Sequence, residues 1–169
     1  RNTSTLGALN ASSFYANVDF PTGAGSFPAD LAAGDMDGDG KLDLVSVNSG
    51  SNSVSVFLNT STPGTISFAA KIDFATGTGS SRVAIADLDG DGKPEIAVPN
   101  GLKNVAVLKN LSTTGTIAFA AKVDFIIFSI NTNPFAIAIG DLDGDTKPEL
   151  AVTHSNRISV LQNTSSVGS

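Results

Sequence analysis

The strongest constraint on this chain is a nine-residue acidic motif written three times. Asp-Met-Asp-Gly-Asp-Gly-Lys-Leu-Asp occupies 35–43, Asp-Leu-Asp-Gly-Asp-Gly-Lys-Pro-Glu 87–95, and Asp-Leu-Asp-Gly-Asp-Thr-Lys-Pro-Glu 141–149. The starts at 35, 87 and 141 are 52 and 54 residues apart, and self-similarity at such a period marks a repeat architecture. The flanks repeat in the same phase. Leu31–Gly34, Val83–Ala86 and Ile137–Gly140 precede the motif, and Leu44–Val47, Ile96–Pro99 and Leu150–Thr153 follow it. A third run lies at Val54–Leu58, Val105–Leu108 and Ile158–Leu161, and a fourth at Ile66–Phe74 and Ile117–Phe125.

Short β-branched runs separated by Gly, Asn, Ser and Pro read as antiparallel strands, and no segment sustains a helical apolar period. The chain is therefore expected to be all-β, a single propeller segment over 1–169 made of three four-stranded antiparallel blades. The blades are placed at 28–74, 82–125 and 134–163, the third having three strands of its own. Small residues before each motif suit an innermost strand, ending near Gly34, Ala86 and Gly140. Residues 1–20 hold a spare outer strand at Phe14–Phe20, available to close a final blade. The chain opens at Arg1 rather than Met and reads as a processed or excised piece.

Alternating carboxylates within nine residues suit a hard cation, because Ca²⁺ takes six to eight oxygens from a tightly turned loop. Side-chain oxygens are assigned to Asp35, Asp37, Asp39 and Asp43 with the Lys41 carbonyl. The second set is Asp87, Asp89, Asp91 and Glu95 with the Lys93 carbonyl; the third is Asp141, Asp143, Asp145 and Glu149 with the Lys147 carbonyl. The lysine ammonium groups are expected in solvent. Gly40 and Gly92 permit a positive φ at position 6, where Thr146 is strained. Twelve of the 16 acidic residues sit in these loops, and three Ca²⁺ would cancel the formal charge of −6. An EF-hand is excluded, since strands flank each loop and position 12 carries no Glu.

The same charge disfavours a nucleic-acid partner. With no cysteine there is no disulfide frame or thiolate site, and one histidine cannot build a poly-His centre. No apolar run approaches the length of a membrane span.

Gly-Asp-Met-Asp-Gly-Asp-Gly-Lys-Leu-Asp-Leu-Val after a small-residue strand resembles the FG-GAP or VCBS repeat, the blade unit of integrin α-subunit propellers and of many secreted bacterial proteins. The resemblance covers about residues 12–163. It implies one calcium per blade, in the turn between first and second strands, and ring closure by a terminal strand. Thr146 and the count of three repeats depart from that pattern.

Weaker signals are read structurally. The Phe125–Ile130 run is expected to pack between blades, Asp30 and Arg82 to pair across neighbouring blades, and His154 to sit in a surface turn. The sequons at Asn2, Asn10, Asn59, Asn110 and Asn163 are ascribed to turn chemistry.

The function expected is a calcium-stabilised module of a secreted or cell-surface bacterial protein, serving adhesion or binding an extracellular protein or glycan. The alternative is an ancillary or catalytic part of a secreted polysaccharide-active enzyme. No nucleophile–base pair stands apart from the loops, so the chain is not expected to be an enzyme. Glycan binding usually wants stacking aromatics, yet Trp is absent and Tyr15 is the only Tyr. Three blades leave apolar faces and strand edges open. The expected partner is therefore a second copy, closing a six-bladed ring head to tail, or further blades of a longer chain.

Overall fold

The computed structural model describes residues 10, 13–14, 16–101, 103–127 and 134–167. Among them are eleven strands in three antiparallel sheets. The first sheet holds β1 (Pro28–Gly34), β2 (Asp43–Asn48), β3 (Ser53–Phe57) and β4 (Ile72–Ala75) in sequential order. The second repeats this with β5 (Ala84–Ala86), β6 (Glu95–Asn100), β7 (Asn104–Leu108) and β8 (Val123–Ile126). The third has β9 (Pro134–Gly140), β10 (Glu149–His154) and β11 (Arg157–Leu161). The all-β blade reading stands, and each first strand ends at the expected residue. Among the described residues no helix is long and apolar enough to cross a membrane.

β1 lies against β5 and β5 against β9, so the first strands crowd one side of the array. Crowding explains their small residues. A Cβ on Gly34 would stand 3.2 Å from Cγ2 of Ile85. The core lies between sheets: Met36, Val45, Val47, Val54 and Val56 pack with Val83, Ile96 and Leu108 across the first junction. Ala97 and Val105 pack with Leu150 and Val152 across the second. At about 25 cal/mol per Å² of apolar area, these junctions are the main cohesion between the blades.

Four expectations meet a different outcome. Residues 16–20 lie in no strand and Phe14 makes only a single bridge; the rest of Phe14–Phe20 and most of 1–13 fall outside the described residues. The ring of Phe20 instead stands edge-on to Phe68, in the connection between β3 and β4, centroids 5.0 Å apart. Asp30 does not pair with Arg82: its Oδ2 accepts the Val83 N–H at 3.0 Å, while Arg82 donates to the Ser81 carbonyl. A backbone donor at the blade junction needs an acceptor more than the exposed guanidinium does. His154 is not in a surface turn but buried at the end of β10, Nε2 3.0 Å from Ser159 Oγ. Of the Phe125–Ile130 run only Ile127 packs between sheets, Phe125 and Ile126 being exposed and 128–130 outside the described residues.

Candidate metal centre

Each acidic motif is the connection between the first and second strands of its sheet. The ladders pair Gly34 with Asp43, Ala86 with Glu95 and Gly140 with Glu149. Position 9 is thereby placed beside the residue that precedes position 1, and the eight residues between must turn tightly. Two left-handed residues make that turn in every copy: Gly38 and Gly40, Gly90 and Gly92, Gly144 and Thr146.

Backbone N–H groups hold the carboxylates in place. Asp35 accepts from Gly38 at 2.8 Å and Gly40 at 2.9 Å; Asp87 accepts from Gly90 and Gly92, and Asp141 from Gly144 and Thr146. Position 5 accepts from the N–H of Lys41, Lys93 and Lys147 at 2.8, 2.9 and 2.9 Å. The position 9 carboxylate spans two donors. Asp43 accepts from Met36 and Asn59, Glu95 from Leu88 and Asn110, Glu149 from Leu142 and Asn163.

Carboxylate oxygens thereby converge. Those of Asp35, Asp37 and Asp39 lie within 4.8 Å of one another, as do those of Asp87, Asp89 and Glu95, and of Asp141, Asp143 and Glu149. Asp43 stands outside the first cluster, and Asp91 and Asp145 outside the other two. Glu95 and Glu149 carry one methylene more than Asp43 and reach further into the loop.

Packing of like charges has an electrostatic consequence. Burial pushes the Asp43 and Glu95 carboxyls above the ordinary carboxylate range, and neighbouring aspartates add to it in both cases. Asp39 is held low by the Lys41 N–H and ammonium. Lys41 faces solvent as expected, its Nζ 3.1 Å from Asp39, whereas Lys147 is half-buried and its Nζ donates to the Ser165 carbonyl at 2.7 Å. Lys109, outside the motif, sits 2.9 Å from Asp89, which raises its own pKa. An all-oxygen, carboxylate-rich set fits a hard divalent cation, so these residues could hold a metal ion.

Sequence reasoning missed how the turns after each third strand grip the loops. Oδ1 of Asn59, Asn110 and Asn163 accepts the N–H two residues on, at 2.8, 2.8 and 3.0 Å, an Asx turn. The amide Nδ2 does the work between blades. Asn110 donates to Pro94 of its own loop and to Met36 of the preceding loop; Asn163 donates likewise to Pro148 and Leu88. Asn59 donates to Leu42 of its own loop. The only signal in the sequence was the recurrence of Asn at one phase of the repeat.

Set against known families, residues 35–98 match the model of the FG-GAP-like repeat, from the first acidic loop through the second and most of β6. No curated protein matches the chain. An FG-GAP-like repeat thus spans the junction between the first two sheets, and the third sheet copies the same hairpin.

Proposed function

We propose that this chain is a calcium-stabilised β-propeller segment of a secreted or cell-surface bacterial protein, presenting its exposed faces to an extracellular protein or glycan. The observation that carries the reading is the recurrence of one converging carboxylate cluster in the same hairpin of all three sheets. Asp35, Asp37 and Asp39 in the first loop, Asp87, Asp89 and Glu95 in the second, and Asp141, Asp143 and Glu149 in the third would hold the ion, and Asp43 orients the first loop through Met36 and Asn59. The ion when bound supplies charge neutralisation. It removes the repulsion that twelve loop carboxylates otherwise carry, and so acts on stability rather than on a reaction. In this reading the carboxylates serve metal and backbone donors, which leaves no free acid–base dyad among them.

Mass action sets the expected size. Each site filled at a hundred times its Kd adds about 2.7 kcal/mol to folding. Calorimetry with EDTA against millimolar CaCl₂ should show a melting temperature several degrees higher with calcium, and MgCl₂ should do less. An unchanged transition would end the structural-metal reading. Incubation with a glycan and matrix-protein array tests the binding role, and turnover of a polysaccharide by the chain alone would point to the enzyme class instead.

A further inference from the structure

One phase of the repeat meets the loop carboxylates in three different ways. The third strands end at Phe57, Leu108 and Leu161, which pair with Leu44, Ile96 and Leu150. The residue that follows is Leu58 in the first blade, Lys109 in the second and Gln162 in the third. Lys109 Nζ stands 2.9 Å from Oδ2 of Asp89, and Gln162 Nε2 donates to Oδ2 of Asp143 at 3.0 Å. Leu58 has no polar atom to offer, and Asp37 accepts from the Gly115 N–H at 2.6 Å. The carboxylate at loop position 3 thus meets a neutral donor in the first and third loops and an ammonium in the second.

Asp89 belongs to the converging cluster of Asp87, Asp89 and Glu95. Its Oδ1 accepts the Asp91 N–H at 3.2 Å while Oδ2 holds the ammonium, so both oxygens are engaged. A divalent cation entering this cluster meets a positive charge already seated on one of its ligands, and like charges so close repel strongly where water is kept out. Lys41 makes a pair of the same kind with Asp39 in the first loop, but burial separates the two. The side chains of Lys41 and Asp39 are 47% and 18% exposed, those of Lys109 and Asp89 29% and 5%. The exposed pair is worth little and gives way to solvent, whereas the sheltered one persists.

We infer that Lys109 is a tethered competitor of the divalent cation at the second loop: its ammonium neutralises Asp89 while the ion is absent and opposes the ion's entry. It thereby raises the calcium concentration at which that loop fills. The inference rests on the calcium reading and deepens it, since a residue outside the acidic motif sets the affinity of one site among three. Sequence similarity between the loops hides this difference, because Asp87–Glu95 repeats the first motif almost residue for residue while the competitor sits fourteen residues beyond it.

A CaCl₂ titration of the whole chain, followed through the amide resonances of Gly40, Gly92 and Thr146, reads the three loops separately. Lys109→Met keeps the aliphatic stem and removes the charge, so it should tighten calcium at the second loop about tenfold and leave the first within about twofold. In EDTA the same variant should melt below the parent, since Asp89 loses its counter-charge. Gln162→Lys, at an exposed position, transplants the ammonium to Asp143 and should weaken the third loop about tenfold. Lys122→Met removes an equal charge from the same blade, at Asp124, and should leave the second loop within about twofold. Calcium binding at the second loop that Lys109→Met does not tighten overturns the inference alone, as does a Gln162→Lys third loop that binds like the parent. Equal tightening by Lys122→Met would make the effect one of overall charge and overturn it too. A parent chain in which none of the three amides responds to calcium ends the calcium reading, and the inference with it.

Discussion

The N–H of Thr146 donates to Oδ2 of Asp141 at 3.0 Å, the bond that Gly40 and Gly92 make to Asp35 and Asp87. To make it, Thr146 adopts φ 75°, a left-handed conformation that a β-branched residue adopts only under strain. Geometry common to all three loops is therefore imposed on a residue that resists it. Thr146→Gly should stabilise the protein by roughly 1 kcal/mol, the strain relieved exceeding the entropy glycine adds to the unfolded chain. Urea denaturation checks this, and a calcium titration should show the third loop binding more tightly in the variant.

Asn110 carries the junction between the first two blades. It is 99% buried, donates to Met36 at 2.9 Å and Pro94 at 3.0 Å, and accepts from Ser112 at 2.8 Å. Asn110→Ala leaves two carbonyls and an N–H short of partners and should cost about 2–4 kcal/mol in urea unfolding. Asn110→Asp keeps the acceptor and the shape but loses both donors beside Glu95, so it should be no less damaging.

Asp91 separates metal binding from stability without metal. Its carboxylate adds to the repulsion on Glu95, and its one backbone bond, from the Lys93 N–H, needs only an acceptor. Asp91→Asn keeps that acceptor and removes a charge. In EDTA the variant should melt at or slightly above the parent temperature, whereas the upward shift on adding CaCl₂ should shrink. Thermal melts in the two buffers read both effects.

At the ends of β2, β6 and β10 stand Asn48, Asn100 and His154. Asn48 Nδ2 donates to Ser55 Oγ at 2.7 Å, and His154 Nε2 meets Ser159 Oγ in the same way. His154→Asn should therefore cost less than about 1 kcal/mol, while His154→Leu, which leaves the half-buried Ser159 hydroxyl without this partner, should cost about 1–3 kcal/mol. Denaturant midpoints of the two variants distinguish a polar hairpin contact from simple filling of space.

What the sequence determined alone is everything that repeats locally. The 52- and 54-residue phase placed the strands, and each acidic motif joins strands that are neighbours in the chain, so its turn and its carboxylates were legible at 35–43, 87–95 and 141–149. Tertiary structure decided contacts between residues far apart: Asn110 with Met36, Phe20 with Phe68, Asp30 with the Val83 N–H. It also decided that Glu95 and Glu149 reach their clusters while Asp43 does not. The physical reason is one of range. Ladder pairing and a hairpin turn follow from a few adjacent residues, whereas a junction between blades depends on how whole sheets are set against each other, which no short stretch of chain encodes.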